Sequence, residues 1–397
     1  MVIGYLHLGP PAHGVCRYGR MLAEEAKRRS DLIILEQAAI VSNECERDTQ
    51  ALREAARQLS TADVVHLQFT EAIWGTDAHR FRNLRTFLRH CHAPVVVTIH
   101  DTEPAPPQAE FQPTNGLRQR LRVLRRQVRR WLNWAGIAPN DLVAHHDIRH
   151  WLIAQTAFSF VCTAEEERRL NAPHLRHKIR RIPHFVEERP TLPTRAEARA
   201  ALGLHGELVI TLLGFIYGGK GYEILLDAAA QLARPDMLVV FAGGAIPGNE
   251  AYLYALQARA RSLGIERQLR ITGYLSEDEF ERYLVATDIP VCPYEICYAS
   301  GALSNWLSAK RSVLTSNLAQ FTEYQLLDSK ALWIFSPYTS NALTFSIKEW
   351  LSSGLMNATT SRADKLAEQL SIRHIVNKHI DCYDDVCRMP SLSCPKL

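Results

Sequence analysis

The stretch that decides the fold is residues 207–232, with the sequence ELVITLLGFIYGGKGYEILLDAAAQL. It begins with the apolar run Leu208–Leu213, which predicts a strand buried on both faces. A glycine-rich segment follows, and apolar residues then recur at helical spacing as far as Leu232. The pattern predicts a strand, a loop and a helix, with Lys220 at the entrance of the helix.

A unit of this kind can bind phosphate. The first amides of a helix have no partner within the helix, glycine lets a ligand approach the backbone, and a lysine adds a positive charge. An ordinary surface lysine is the competing interpretation, because a short glycine motif is a weak signal. The spacing also differs from that of a P-loop, since Gly221 stands where Ser or Thr would bind magnesium, which disfavours a kinase or an ATPase.

Length and composition indicate a globular protein with two domains. The chain has 397 residues, more than one typical core requires, and its 47% of apolar residues is ordinary for a globular protein. No apolar run reaches membrane-spanning length, and the strand-length start MVIGYLHLG has no basic leader. The nine cysteines include no C-x-x-C pair, which predicts reduced thiols. We therefore expect a cytoplasmic protein without a signal peptide.

Short apolar runs alternate with helical stretches in the first half of the chain, which predicts a parallel sheet with right-handed crossovers. Residues at the carboxyl ends of such strands line the ligand crevice. This rule singles out the loop at Gly14 and the pair His100–Asp101, although a structural histidine is the competing interpretation for His100. No group of side chains has metal-ligand spacing, so no metal and no cofactor is expected. The predicted strands here are residues 2–8, 32–35, 64–68 and 95–100.

Residues 104–140 break the alternation. Prolines open this segment, and seven arginines then lie between positions 118 and 130, with apolar residues on one helical face. A basic amphipathic helix is typical of an anionic membrane surface. A helix packed on its own domain and, with least support, a nucleic-acid-binding segment are the open alternatives. The candidate residues for an acceptor or membrane side are Arg118, Arg122, Arg125, Arg126 and Arg129.

The second half of the chain contains another candidate phosphate-binding helix. A strand is predicted at Ile289–Cys292, and Ser300 with Gly301 opens a helix that is predicted to reach about Ala309. Ser300 can cap this helix, which leaves the amides of Gly301 and its neighbours for a diphosphate. Serine is a favoured cap in any helix, so this pattern alone is weak.

The order and spacing of these segments resemble the family-4 glycosyltransferases, which are retaining enzymes of the GT-B type. The resemblance implies an α/β protein of two facing Rossmann-like domains, with an interdomain cleft for a nucleotide-sugar. The segments that carry it include VVVTIHD, IPHFV, LLGFIYGGKGYEILLDAA, ITGYLSEDEFERYLVATDIPVCPY and SGALSNWLSAKRSVLTSN. The implied parts are an acceptor-side domain 1–185 with the basic insertion 104–140, a donor-binding domain 186–360, closing helices 361–387 that cross back to the first domain, and a tail 388–397.

The resemblance also implies roles for single residues. Lys220 matches the lysine of the donor diphosphate, and His100 matches the histidine near the transferred sugar, so these two are the predicted catalytic residues. The Gly14 loop would approach the same phosphates, and the loop at Tyr274 lies where the base is usually held. The full set of predicted donor-binding residues is Gly14, Lys220, Tyr274, Glu295, Ser300, Gly301, Ala302 and Asn305.

Three residues depart from the family pattern. Phe215 stands where an arginine is common, and Cys297 and Asn305 stand at the positions of paired glutamates, with Glu295 as a nearby substitute for the first. These departures motivate the hypothesis of a scaffold or binding protein that kept the fold and has weakened transfer. A nucleic-acid-binding protein that uses residues 118–130 is a further, weaker hypothesis.

The leading hypothesis is a retaining hexosyltransferase. It would move a hexose from a UDP- or GDP-linked sugar to a saccharide or lipid-linked acceptor, in polysaccharide or glycoconjugate synthesis. Stabilisation of the departing diphosphate would supply most of the catalysis. This hypothesis expects peripheral contact with an anionic membrane at its inner face, no nucleic-acid partner, and neither a metal nor another cofactor.

Overall fold

The computed structural model of the protein describes residues 1–11, 13–101, 148–189, 191–297, 300–353 and 363–389, apart from the side chains of Asp77 and Ala78. The basic segment predicted within residues 104–140 lies outside this range. The same holds for the five arginines assigned there to an acceptor or membrane side, Arg118, Arg122, Arg125, Arg126 and Arg129.

The chain forms two compact units. The first contains Met1–Val161, Glu166–Arg180 and the chain from Asp381 on, and the second contains Cys162–Glu165 and Arg181–Ile380. Each unit is built on one six-stranded sheet, whose described strand pairs are parallel. Both units are therefore Rossmann-like α/β domains, as the family resemblance implies, and the alternation of strands and helices correctly predicts the parallel sheet of the first half.

The sheet of the first unit has the strand order β2-β1-β3-β4-β5-β6. The chain leaves β1 toward β2 and then returns to place β3 on the other side of β1, so a topological switch point lies between β1 and β3. Ligands of such sheets bind at the carboxyl ends of the strands beside this point. The strands are β1 Val2–Leu8, β2 Ile33–Ala39, β3 Val64–Phe69, β4 Val95–Ile99, β5 Ser159–Val161 and β6 Ile179–Arg181.

Helices cover this sheet with apolar faces, as in α2, where Leu52, Ala56 and Leu59 are fully buried against strand side chains. Their spacing of four and three residues places them on one face of the helix. The described helices along this half of the chain are α1 Gly14–Lys27, α2 Cys45–Leu59, α3 Asp77–His90, α4 Ile148–Gln155 and α5 Ala164–Leu170.

The prediction for β2 was wrong in its extent. The apolar run indicates a strand at residues 32–35, but β2 runs from Ile33 to Ala39. β2 is an edge strand that pairs only with β1, and its Glu36 and Gln37 are partly exposed. An edge strand tolerates such polar residues, so its hydrogen bonds continue beyond its apolar run.

The second sheet repeats this plan with the order β12-β11-β10-β7-β8-β9, which puts its switch point between β7 and β10. The loops that follow these two strands therefore leave the sheet side by side. The strands are β7 Leu208–Leu213, β8 Met237–Ala242, β9 Leu269–Ile271, β10 Ile289–Cys292, β11 Val313–Ser316 and β12 Leu332–Phe335.

Local capping fixes several helix starts in this half of the chain. Ser276 and Glu279 form the predicted capping box, and Ser300 is the N-cap of a helix that begins at Gly301, as expected. The described helices are α6 Arg195–Ala201, α7 Tyr222–Leu232, α8 Glu250–Ser262, α9 Glu277–Ala286, α10 Gly301–Ser308, α11 Ala319–Leu327, α12 Ser340–Ser352, α13 Asp364–Gln369 and α14 Ile372–Arg388. Across the described residues, no helix has both the length and the apolarity that a membrane span requires.

Candidate functional site

The lysine loop, defined as residues 214–221, connects β7 to α7. Gly221 caps α7 with a positive φ of 81°, and a Cβ on it would lie 1.8 Å from the carbonyl oxygen of Pro293. Only glycine fits such a conformation and such a close approach of two backbones. Pro293 follows β10, and the amide of Glu295 donates to the Gly219 carbonyl at 2.9 Å. The loops after β7 and β10 are thus fixed to each other.

The ammonium of Lys220 lies at the carboxyl end of β7. The position that a Cβ would take on Gly214 is 2.8 Å from Lys220 Nζ. The ammonium also lies over two aromatic rings, at 5.0 Å from the centroid of Tyr217 and 5.7 Å from that of Tyr294. Among the residues that the structure describes, no carboxylate forms an ion pair with Lys220.

Burial lowers the pKa of Lys220 to about 8, and the neighbouring thiols of Cys292 and Cys297 only partly oppose this effect. Lys220 is only partly exposed, and an ammonium in such a setting is normally paired, because removing it from water is costly. An ammonium with a lowered pKa at a sheet's switch point, and without a carboxylate partner in the described part of the chain, marks a candidate anion-binding site.

The start of α10 lies next to this ammonium. Ser300 Oγ accepts the amide of Leu303 at 3.0 Å, so Ser300 is engaged as the cap. The amides of Gly301 and Ala302, in the first turn, donate to no residue in the described part of the chain. The Cβ of Ala302 is 4.0 Å from the same Gly214 Cβ position that Lys220 Nζ approaches at 2.8 Å. The structure therefore brings Lys220 and the α10 start together within one unit.

This cluster can hold an anion with two kinds of donor. A helix N-terminus carries a partial positive charge and presents unbonded N–H groups, while the lysine adds a full charge. α10 has no acidic residue in its first turn that would compete for these donors. A phosphate or diphosphate matches the arrangement, because its several oxygens can accept from both.

An aromatic pair flanks the lysine loop. Phe215 and Tyr274 are 49% and 64% exposed, and their ring centroids are 5.9 Å apart in an edge-to-face arrangement. The Tyr274 hydroxyl donates to the Ala245 carbonyl at 2.8 Å, and the ring covers Gly244 so closely that a Cβ there would be 2.8 Å from it. Tyr274 is thus held in place while its ring stays accessible, as a surface for a planar ligand group requires.

The remaining predicted donor-binding residues, Glu295 and Asn305, bond to the backbone or to other side chains around Lys220 and the α10 start. Glu295 is exposed and contributes its amide to the lysine loop. Asn305 lies one turn along α10, where its Nδ2 donates to the Gly301 carbonyl at 2.9 Å and its Oδ1 accepts from Arg189 at 3.4 Å. Cys297 Sγ is 3.3 Å from Gln320 Oε1. Neither Cys297 nor Asn305 supplies a carboxylate at its position.

In the first unit, Gly14 begins α1, and His13 caps the helix by accepting the amide of Val15 at 3.3 Å. A Cβ on Gly14 would meet no atom within 4 Å, so the backbone is open at this point. The side chain of Tyr18, one turn further, lies edge-on to the ring of His100, with 4.9 Å between centroids. The structure therefore brings α1 and the end of β4 together.

His100 and Asp101 follow β4 and have buried partners. His100 Nε2 is 2.8 Å from Gln68 Oε1, and the Asp101 carboxylate accepts from the Glu71 amide at 2.9 Å and from Thr70 Oγ1 at 3.2 Å. The other carboxylate oxygen of Asp101 is buried without a hydrogen-bond partner in the described part of the chain. Burial raises the pKa of Asp101 to about 6.

Three residues near the predicted site residues were not predicted from the sequence. Tyr217 and Tyr294 line the lysine ammonium, and Gln68 contacts His100. A signal existed only for Gln68, because a polar residue in a run that otherwise reads as a buried strand needs a partner. The two tyrosines belong to different loops that only the strand order brings together.

Comparison with known proteins gives one family match and several structural ones. Residues 194–369 match the family model described as glycosyl transferases group 1. The mannosylfructose-phosphate synthase of Agrobacterium fabrum is 28% identical over 123 residues, which are 29% of this chain and 27% of that protein. The D-inositol 3-phosphate glycosyltransferase 1 of Catenulispora acidiphila is 34% identical over 106 residues, 25% of each protein. The chain thus matches only about a quarter of the length of these curated relatives.

Solved structures resemble the chain over nearly its whole length. Anabaena HepE in complex with UDP and glucose has a TM-score of 0.67 at 14% identity, over 97% of this chain and 100% of that one. Sucrose-phosphate synthase from Thermosynechococcus elongatus has a TM-score of 0.68 at 15% identity, over 97% and 99%. WaaG, a glycosyltransferase involved in lipopolysaccharide biosynthesis, has a TM-score of 0.59 at 15% identity, over 96% and 99%. At such low identity these likenesses establish the fold.

The chain therefore has the two-domain α/β fold of the GT-B glycosyltransferases, and its residues 194–369, which contain Lys220 and the α10 start, match the group 1 glycosyltransferase family.

Proposed function

We propose that the protein is a glycosyltransferase that uses a nucleoside-diphosphate sugar as donor and retains the configuration at the anomeric carbon. The observation that carries this proposal is the unpaired ammonium of Lys220 beside the unbonded amides that begin α10. The family match over residues 194–369 and the UDP complexes of the structural neighbour HepE support it.

The chemistry follows from what this cluster stabilises. Transfer of the hexose leaves a nucleoside diphosphate, and negative charge grows on the bridging oxygen as the glycosidic bond breaks. Donors that meet this charge in the transition state accelerate the reaction. Lys220 and the amides of Gly301 and Ala302 would supply that stabilisation, and His100 would act at the transferred hexose. The pair Phe215–Tyr274 would contact the base, and Gly14 the phosphates.

The acceptor is proposed to be a saccharide or a lipid-linked saccharide. The named relatives include a mannosylfructose-phosphate synthase, a D-inositol 3-phosphate glycosyltransferase and a glycosyltransferase involved in lipopolysaccharide biosynthesis. The arginines within residues 118–130 motivate a membrane-bound acceptor at an anionic inner membrane face. Replacing them with glutamine should abolish co-sedimentation with phosphatidylglycerol vesicles, and undiminished sedimentation would exclude the membrane contact.

The activity is tested by incubating the protein with a panel of UDP- and GDP-hexoses and measuring release of the nucleoside diphosphate. Slow hydrolysis of one donor without an acceptor is expected, with the same rate in EDTA, because the proposed site neutralises the diphosphate without a metal. Proton NMR of the transferred product should show retention. Failure of every UDP and GDP species to bind would contradict the proposal.

A sharper test removes one backbone amide. Gly301 is the first residue of α10, Ser300 before it has an extended backbone, and a Cβ on Gly301 would meet no atom within 4 Å. Proline is accepted at such a position and lacks the N–H group. Gly301→Pro should weaken UDP or GDP binding by about 10- to 150-fold, the loss of one hydrogen bond to a charged group. Gly301→Ala keeps the amide and is the matched control, with near-normal affinity expected.

A scaffold without transfer is the second candidate, and it has a specific observation in its favour. Asn305 directs its carboxamide to Gly301 and Arg189, and Cys297 contacts Gln320, so neither position offers a carboxylate for a donor. Saturable nucleotide binding without turnover of any donor would favour this function over the enzyme.

A further inference from the structure

A chain of buried polar side chains begins at His100 and runs into the first unit. His100 Nε2 is 2.8 Å from Gln68 Oε1, and Gln68 Nε2 is 3.3 Å from His66 Nε2. His66 Nδ1 is 2.6 Å from the hydroxyl of Tyr383, a residue of α14. Gln68 and His66 lie two positions apart on β3, so both side chains project to the same face of the sheet. The chain joins the end of β4 to the last helix.

These groups are removed from water. Gln68 is 3% exposed and His66 is fully buried. Tyr383 is also fully buried, and its hydroxyl is hydrogen-bonded to that of Tyr5. Buried polar groups are costly unless their donors face acceptors, so the protons in such a chain are ordered. The position of the proton on one side chain therefore constrains the position of the proton on the next.

The orientation of the Gln68 carboxamide in the structure corresponds to one proton arrangement. Gln68 directs its oxygen to His100, which requires a proton on His100 Nε2 and, in the neutral imidazole, leaves Nδ1 unprotonated. The Gln68 amide donates to His66 Nε2, so His66 carries its proton on Nδ1 and donates it to the Tyr383 oxygen. Thr98 Oγ1, at 2.8 Å from His66 Nε2, can donate to the same nitrogen. Turning the Gln68 carboxamide by 180° would reverse every donor in the chain.

We propose that Gln68, His66 and Tyr383 form a positioning chain that fixes the tautomer and the ring orientation of His100, so that its Nδ1 acts as a hydrogen-bond acceptor. The relevance of this chain to catalysis rests on the proposed function, in which His100 acts at the transferred hexose. The three residues act through His100, and α14 thereby contributes to the acceptor-side unit.

The first test is the variant Tyr383→Phe, which removes only the hydroxyl. His66 then loses the acceptor at Nδ1, and its proton moves to Nε2. The Gln68 carboxamide turns to accept from His66 and donates to His100. Nitrogen-15 NMR of histidine-labelled protein should therefore report a proton on His100 Nε2 in the wild type and on Nδ1 in the variant. The signal is assigned by its loss in His100→Gln.

The activity readout separates positioning from simple stability. With the best donor, Tyr383→Phe should lower kcat by about 10- to 100-fold, the usual effect of misorienting a reacting group, with KM changed less than about two-fold. The matched control is Thr156→Val, since the buried Thr156 hydroxyl bonds Ser159 Oγ at 3.0 Å in the same unit, outside the chain. It should cost similar stability and leave both the His100 tautomer and kcat unchanged.

Gln68→Met is the second variant, and it keeps the side-chain volume while breaking the chain beside His100. It should lower kcat by a factor similar to that of Tyr383→Phe. The nitrogen-15 chemical shifts of His100 should become an average over both tautomers. In this background Tyr383→Phe should have no further effect on kcat, because coupling between two residues disappears when the residue linking them is lost.

Several results would overturn the positioning chain. They are a proton on His100 Nδ1 in the wild type, an unchanged tautomer in either variant, or the same loss of kcat for Tyr383→Phe with and without Gln68→Met. The tautomer measurement needs no donor, so it tests the chain even when no donor is turned over. Absence of turnover with the predicted tautomers would instead contradict the proposed function.

Discussion

Replacing Lys220 by methionine should have opposite effects on the empty and the liganded protein. Methionine keeps the length and flexibility of the side chain and removes the charge. In the empty protein the pKa of Lys220 falls from 10.5 to about 8, a difference that corresponds to about 3 kcal/mol of free energy that folding must supply to keep the ammonium charged. Lys220→Met should therefore stabilise the empty protein at pH 7 by up to about 3 kcal/mol.

The pH dependence has a defined sign. Since the pKa of Lys220 is lowered on folding, the cost is present in full below about pH 8 and shrinks as the pH rises toward 10.5, where the unfolded lysine also loses its proton. The stabilisation by Lys220→Met should shrink over the same range. Urea unfolding at several pH values measures it.

Binding should change in the other direction. The loss of a hydrogen bond to a charged group is worth about 1.5 to 3 kcal/mol, so Lys220→Met should bind UDP or GDP about 10- to 150-fold more weakly. Lys348→Met, at an exposed position of α12, is the control and should change neither quantity much. The reasoning is refuted when Lys220→Met unfolds at the same or a lower urea concentration than the wild type and binds the nucleotide equally well.

Two further predictions concern stability. The pKa of Asp101 is raised to about 6 on folding, so its contribution to stability is greatest below about pH 4 and falls as the pH rises to about 6 and beyond. The wild type should therefore lose about 1 kcal/mol between pH 5 and pH 8 that Asp101→Asn does not lose. An identical pH profile of urea unfolding in both proteins would contradict this. Gly221→Ala should cost more than about 2 kcal/mol, because the methyl group would meet the Pro293 carbonyl at 1.8 Å in a left-handed backbone. Gly218→Ala in the same loop, where a Cβ meets nothing within 4 Å, should stay within about 1 kcal/mol of the wild type. Equal losses of stability for the two substitutions would show that the contact with Pro293 does not cause the effect of Gly221→Ala.

Sequence patterns predicted the features that depend on neighbours along the chain. Alternating apolar runs and helical stretches predicted the parallel sheet of the first half, the family resemblance implied a second one, and Ser300 followed by Gly301 predicted a helix start that the structure contains. Capping is a local interaction, so it is readable from a few residues. The extent of β2 was misjudged, because its continuation through Glu36 depends on pairing with β1 and not on its own apolarity.

Local sequence patterns did not predict contacts between residues that are far apart along the chain. Tyr383 and His66 are separated by 317 positions, and nothing near either residue indicates the other. The surroundings of the Lys220 ammonium likewise depend on a distant segment. The loop after β10 places Tyr294 and the α10 start beside the ammonium, and no carboxylate in the described part of the chain pairs with it. The strand order determines these neighbours, and the sequence of one segment does not encode it.

The most direct test of a diphosphate site at Lys220 is proton uptake during nucleotide binding, measured by titration calorimetry at pH 8 in buffers of different ionisation enthalpy. With a pKa of about 8, a substantial fraction of the Lys220 side chains is neutral at this pH, and a bound diphosphate should raise the pKa of the lysine again. Binding of UDP or GDP, whose phosphates are already ionised at pH 8, should therefore take up a measurable fraction of a proton in the wild type and none in Lys220→Met. No saturable binding of either nucleotide, or equal proton uptake in the two proteins, would contradict the site.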